Sequence, residues 1–215
     1  MYRKILGVLR LFFHLLNANF RDKIAEIVNI LVNDQPAIKE KVFVLMVGYS
    51  KVGKTSFVNK NERLKTFFNI STNSIHNLLN NTFAFLKDDN TVYGSAYWER
   101  QYLTRIVRKR LLNEALKKGF AVVNDSANLN RKERKARLKI AKRYGYETII
   151  VWVTCPEEEL LARLQKADNE LILNGQKPAW INLYTEVQKN RFDPPLDNEA
   201  DTIIMVVCSG GDTFY

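Results

Sequence analysis

Residues 42–55 read VFVLMVGYSKVGKT, and the fold turns on them. The first six form an unbroken β-rich apolar run, the pattern of a strand buried on both faces. It leads directly into Gly48-Tyr49-Ser50-Lys51-Val52-Gly53-Lys54-Thr55, which fills G-x-x-x-x-G-K-[ST] at every fixed position. The glycines let the backbone turn so that successive N–H groups point inward at a phosphate. A helix starting at about Lys54 adds the partial positive charge of its N-terminus. Gly48, Tyr49, Ser50, Lys51, Val52, Gly53, Lys54, Thr55 and Ser56 are therefore the candidate nucleotide-binding set. Lys54 would reach the β- and γ-phosphates of ATP, and the Thr55 hydroxyl would ligate Mg²⁺.

Outward from this loop, strand and helix alternate. TFFNI at 66–70 precedes a helical pattern near 73–80, and Asp88, Asp89, Asn90 and Gly94 break the chain. Residues 95–118 read as a long helix closed by Gly119, followed by FAVVN at 120–124. A very basic helix at 130–144, TIIVWVT at 148–154, helical segments to about 189 and TIIMVV at 202–207 complete the pattern. Pro156 with Glu157, Glu158 and Glu159 marks a helix start, with proline at its first position and acids in its first turn. Five apolar strands separated by helices predict an α/β P-loop NTPase fold, a five-stranded parallel sheet covered on both faces.

The N-terminal stretch MYRKILGVLRLFFHLLNANF combines basic and apolar residues, but Arg10 and His14 interrupt it. The uninterrupted run falls short of the roughly 18 apolar residues of a membrane span. Arg3, Gly7, Arg10, His14, Asn17 and Arg21 recur at steps of four and three, a narrow polar stripe on an amphipathic helix. Packing on the body or on another chain, contact with a membrane surface, and a signal segment are the readings left open. A second helical pattern, Ile24, Ile27, Val28, Ile30 and Leu31, ends near Asp34 and Pro36. Residues 1–38 read as an appended helical extension, 39–215 as the P-loop domain, and 156–190 as its lid.

The chain has 215 residues, with 46% hydrophobic and 26% charged. That composition excludes a collagen, a disordered tail or a porin. Cys155 and Cys208 are too few for a disulfide framework or a zinc site and read as small core residues of a reduced, cytoplasmic protein. The net charge of +10 calls for a polyanion, a phosphate-rich ligand or an anionic surface. The excess is concentrated in two helices. Arg131, Lys132, Arg134, Lys135, Arg137, Lys139, Lys142 and Arg143 lie on one, against a single acid, Glu133. Arg105, Arg108, Lys109, Arg110, Lys117 and Lys118 lie on the other. Such runs track a nucleic-acid backbone or merely face solvent. Tyr97, Trp98, Tyr102, Trp152 and Trp180 read as packing residues.

Asp125 follows the strand FAVVN, where an acidic ligand of Mg²⁺ or water belongs in such folds. The sequence from Asp125-Ser126-Ala127-Asn128-Leu129, through Tyr144-Gly145-Tyr146, to VWVTCPEEELLAR resembles the kinase domain of polynucleotide 5′-kinases and the zeta-toxin-like small P-loop kinases around them. The resemblance spans about residues 42–207 and omits 1–38. It implies ATP-dependent phosphoryl transfer to a hydroxyl, with Asp125 supporting the metal or the acceptor. It also implies a catalytic Asp after the second strand, within I-[ST]-x-D-x-[IY]-R. Here Ile70-Ser71-Thr72-Asn73-Ser74-Ile75-His76 fits that frame, with Asn73 at the base position and His76 at the arginine position. An amide orients a hydroxyl but cannot take its proton, and such a base is worth about 10²–10⁴ in rate. A weakened kinase, a base relocated to Asp88 or Asp89, an inactivated form and a nucleotide-dependent switch all remain open at this point. Arg163 and Lys166 are the candidate lid contacts to the transferring phosphate, with Ala167 near the place of the usual lid arginine.

These residues favour a kinase using ATP and Mg²⁺, with an RNA or DNA end or a nucleotide-like molecule as acceptor. The alternative is a catalytically weakened ATPase switch that binds a partner chain or membrane surface through its N-terminal helix. A GTPase is disfavoured: no D-x-x-G follows the expected strand, and VWVTCPEEE stands where a base-reading N-K-x-D belongs.

Overall fold

The computed structural model describes residues 17–35, 37–86, 95–209 and 213–214. Helix α1 (Ala18–Asn33) precedes β1 (Val42–Val47), α2 (Lys54–Lys60), β2 (Phe68–Asn69), α3 (Thr72–Thr82) and α4 (Ser95–Lys117). Then follow β3 (Val122–Asn124), α5 (Arg131–Arg143), β4 (Glu147–Thr154) and α6 (Glu157–Leu173). A helical run covers 180–191, its middle a π-helix (Leu183–Gln188), before β5 (Thr202–Ser209) and β6 (Thr213–Phe214). The sheet order is β2-β3-β1-β4-β5-β6. The first five strands are parallel, as expected, and β6 adds an antiparallel edge that the sequence did not announce.

Alternation along β1 shows why its sequence is apolar throughout. Phe43, Leu45 and Val47 join a core with α1, α3, α4 and α5, whereas Val42, Val44 and Met46 join one with α2, α6 and Tyr184. Each residue is removed from water by one layer or the other, so no position tolerates a polar group. β1 lies between β3 and β4, so the chain's connections leave it in opposite directions. That is the switch point at which such sheets open a crevice beyond their carboxyl ends.

Three local features secure the frame. Gly119 takes a left-handed φ of +74° and ends α4, as the sequence predicts. The Tyr146 hydroxyl donates to the carbonyls of Leu116 and Phe120, so the Tyr144-Gly145-Tyr146 turn satisfies that helix end. Arg134 is wholly buried and forms a forked pair with Glu199, Nε to Oε1 at 2.7 Å and Nη2 to Oε2 at 3.0 Å. Its Nη1 donates to the carbonyls of Asn128 and Leu129, tying α5 to the loop after β3.

Several expectations require correction. The basic helix is not one continuous cationic stripe. Arg134 is core, Arg137 pairs with Glu133, and Lys142 pairs with Asp201. The turn of the helix carries Arg134, Leu138 and Ala141 to one buried face. Pro156 is the N-cap of α6 rather than its first residue. Asn17 and Arg21 belong to α1, whose N-cap is Asn17 and whose buried face is Phe20, Ile24, Ile27, Val28, Leu31 and Val32. That face enters the same core as the sheet. The stretch 1–16 and the pair Asp88 and Asp89 lie outside the described residues. Among the described residues no helix is long and apolar enough to cross a membrane.

Candidate functional site

The glycine loop connects β1 to α2 and is held by its surroundings before any ligand is considered. Gly48 has φ +146°, and a Cβ there would stand 2.4 Å from the Val153 carbonyl oxygen, so only glycine fits. Its N–H donates to the Ala127 carbonyl at 3.1 Å. Asn128, itself at a positive φ of 48°, donates from Nδ2 to the Met46 carbonyl at 2.7 Å. The D-S-x-N-L stretch thus fastens the loop after β3 to the end of β1.

Lys54 curls back over the loop, donating to the carbonyls of Gly48 at 2.9 Å and Tyr49 at 2.6 Å. Burial lowers its pKa to about 8, against the opposing pull of Asp125. The Thr55 hydroxyl donates to Asp125 Oδ2 at 2.7 Å. Residues seventy positions apart are therefore in contact. A hydroxyl and a carboxylate are hard oxygen donors, a set that suits Mg²⁺ alongside phosphate oxygens and water.

Sequence reasoning missed how the loop's variable positions are held by the helical run at 180–191 and Phe192. The Ser50 N–H donates to Gln188 Oε1 at 3.0 Å, while Gln188 Nε2 donates to Ser50 Oγ at 2.6 Å. Tyr49 packs edge-on against Tyr184 and also against Phe192. Lys51, at a positive φ of 63°, places its ammonium 4.6 Å from the centre of the Trp180 ring. Trp180 is therefore a loop contact rather than simple packing. At the start of the run, Asp168 of α6 accepts from the N–H groups of Ala179, Trp180 and Ile181, which lowers its pKa against its own desolvation.

A cleft of about 1300 Å³ opens over the loop. Lys54, Thr55, Ser56, Asn73, His76, Asp125, Arg163 and Lys166 all line it, so one concavity gathers those sequence-derived candidates. Arg163 is engaged with Glu159, with Cys208 Sγ at 3.2 Å and with the Lys51 carbonyl at 3.5 Å. Lys166 faces the cleft from the same helix, and Ala167 is buried beside it. Asn73 is exposed on the first turn of α3. His76, one turn further, is half-buried; burial with Arg100 and Arg108 nearby lowers its pKa to about 4, so it is neutral at pH 7.

The far wall holds residues the sequence reading did not single out as a site. Tyr97, Arg100, Gln101, Thr104, Arg105 and Arg108 recur at steps of three and four along α4 and line the cleft together. That periodic polar stripe was the available signal. Among the described residues, nine cations and three carboxylates line the cleft.

Comparisons with known proteins bear on this frame. Residues 43–171, from β1 through α6, match a protein family described as an AAA domain. The chain belongs to the AAA domain family. The match contains the phosphate loop, Asp125 and most of α6, so a nucleotide-binding kinase or ATPase-type domain is established at that level. Two solved structures share the fold of this AAA domain. One comes from a characterisation of the PezAT chromosomal toxin–antitoxin system of Streptococcus pneumoniae. It is 13% identical with a TM-score of 0.61, covering 93% of this chain and 80% of that one. The other is described as a candidate kinase from Chloroflexus aurantiacus, 13% identical with a TM-score of 0.57, covering 79% of this chain and 86% of that one. No curated protein matches the chain.

Proposed function

We propose that the protein is an ATP-dependent phosphotransferase of the polynucleotide 5′-kinase and zeta-toxin-like group, delivering the γ-phosphate of ATP to a hydroxyl. The observation that carries this reading is the shared cleft. The phosphate loop with its Thr55–Asp125 pair forms one wall, and Asn73, His76 and the α4 stripe form the wall facing it. A pure nucleotide-binding module has no need of that second polar wall.

Phosphoryl transfer is governed by alignment and charge neutralisation. Lys54 neutralises the β- and γ-phosphates once it leaves the carbonyls of Gly48 and Tyr49. Thr55 and Asp125 are the residues that would hold Mg²⁺, which when bound neutralises charge on the same phosphates. Asn73 accepts a hydrogen bond from the acceptor hydroxyl through its amide oxygen and so aims it. The hydroxyl oxygen bonds to the γ-phosphorus as the bond to the bridging oxygen breaks. ADP departs, and the proton passes to water, because Asn73 cannot take it. Arg163 and Lys166 close the charged side of the lid.

The acceptor class that fits the cationic wall is an RNA or DNA end or a nucleotide-like molecule. Exposed Lys132, Lys135, Lys139 and Arg143 on α5, with Lys109 and Arg110 on α4, offer a path for a longer polyanion. The absent base at position 73 favours a second reading, an ATPase whose lid reports nucleotide state to a partner. Incubation with γ-labelled ATP, Mg²⁺ and a panel of RNA, DNA, nucleoside and sugar-nucleotide acceptors tests the first. Label on an acceptor supports it. ATP hydrolysis with no labelled acceptor leaves the switch.

A further inference from the structure

The sheet brings Cys155 and Cys208 together, although they are distant in sequence. The parallel register of β4 on β5 runs from Ile149 opposite Thr202 to Thr154 opposite Val207. One step further along that register sets Cys155 opposite Cys208. Side chains alternate along a strand, so Cys155 falls on the face of Val151 and Val153, and Cys208 on the face of Val206. All five belong to the core that packs against α2 and α6, so the two thiols share one face of the sheet. Neighbouring strands lie about 4.8 Å apart, inside the roughly 4.4–6.8 Å between Cα atoms that a disulfide spans. Both thiols are free. Cys155 follows the last residue of β4, so its backbone is not held on both sides by the ladder.

The two thiols differ in access and share a neighbour. Cys208 is wholly buried, whereas Cys155 is half-buried and is the one a small oxidant reaches. Burial raises the Cys155 pKa against the pull of Arg163, so Cys155 rests as a thiol. Arg163 donates to Cys208 Sγ at 3.2 Å and, on the other side, to the Lys51 carbonyl of the phosphate loop at 3.5 Å. Gly48 of the same loop backs directly onto the Val153 carbonyl of β4. β4 lies between β1 and β5, so drawing Cys155 onto Cys208 moves the end of β4 away from the loop. It also takes the Cys208 sulfur from Arg163. We propose that Cys155 and Cys208 are a redox-sensitive pair whose disulfide loosens the phosphate loop and weakens nucleotide binding. The oxidant is a peroxide. The Cys155 sulfur, on losing its proton, attacks one oxygen of hydrogen peroxide; the O–O bond breaks, leaving a sulfenic acid and water. The Cys208 sulfur then bonds to the Cys155 sulfur as the S–O bond breaks, and a second water departs with the Cys208 proton. Two thiols have given up two electrons and peroxide has taken them. The proposal rests on nucleotide binding at the loop and not on phosphoryl transfer.

The test treats the full chain with hydrogen peroxide, blocks remaining thiols with N-ethylmaleimide, and reads intact and peptide masses. The expected product has lost two hydrogens, takes up no maleimide and yields one cross-linked peptide pair containing Cys155 and Cys208. Dithiothreitol should reverse all three. A fluorescent, non-hydrolysable ATP analogue should bind the oxidised chain about fivefold more weakly, the effect of one net hydrogen bond, and regain its affinity on reduction. Cys155→Ser, shown to be folded by its melting curve, should keep its affinity through the same peroxide treatment. Two thiols that stay free, separate oxidation of each to a sulfinic acid, or a disulfide between two chains overturns the pair. A disulfide that leaves affinity unchanged overturns its action on the loop. An equal loss of affinity in peroxide-treated Cys155→Ser assigns that action to another residue and overturns it as well.

Discussion

The two walls of the cleft are built on opposite principles. On the phosphate-loop wall the side chains that grip the loop are matched within the chain. Lys54 rests on two carbonyls, Thr55 on Asp125, and Ser50 on Gln188. On the far wall Arg108 Nε and His76 Nε2 have no partner, and three arginines crowd one carboxylate. A buried polar group without a partner costs stability, so the grip on the loop stabilises the first wall, whereas the second carries unmatched groups at a cost. The pair Arg134 and Arg108 condenses that contrast into two side chains of one type on neighbouring helices.

Breaking a matched pair should have the largest effect. Arg134→Met leaves the buried Glu199 without a counter-ion, and a loss of about 3–5 kcal/mol is expected in urea unfolding. Arg108→Met, on the far wall of the cleft, forfeits one hydroxyl contact and removes a cation that forms no ion pair among the described residues. Its change should stay within about 1 kcal/mol of zero. Equal losses at the two sites would erase the distinction.

Acid should expose the far wall next. His76 has a folded pKa of about 4 against an unfolded value of 6.5. Between those values the unfolded chain binds the proton more readily. Stability should therefore fall as pH drops through that window, by at most about 1.4 kcal/mol per unit. His76→Asn should flatten that part of the profile, as read by melting temperature from pH 7 to pH 4. An unchanged slope would show that His76 is not the group responsible.

The smallest effect concerns the hold on the phosphate loop. Gln188→Ala removes both contacts to Ser50. ATP should then bind about threefold to tenfold more weakly, the range of one or two net hydrogen bonds. Fluorescent-nucleotide titration would read this, and unchanged affinity would reduce the contact to helix packing.

The phosphate-loop wall was also the legible one. Its chemistry is local: an apolar strand, fixed glycines and a helix start within fourteen residues, with Asp125 at the end of another continuous apolar run. The five parallel strands were legible because strands buried on both faces leave uninterrupted apolar segments. The far wall was not, because its meaning depends on which cations of a helix face inward. Arg108 and Lys109 are adjacent in sequence yet differ in burial, and composition treats them alike. The α4 stripe could have been found by its period; the sharing of Glu133 among arginines from three segments could not. Gln188 was invisible for another reason, since a π-helix sets its direction and no sequence periodicity announces one. The β6 edge was missed because two residues carry too little pattern to register.

The proposed transfer of phosphate by this AAA domain, with Asn73 aiming the acceptor hydroxyl, is open to direct measurement. It is tested most directly by measuring transfer from γ-labelled ATP to the acceptor panel for the protein as it stands and for Asn73→Asp. Slow labelling of a hydroxyl acceptor is expected, rising about 10²–10⁴-fold when a carboxylate able to take the proton replaces the amide. No labelled acceptor with either protein, while ATP still binds, would contradict it.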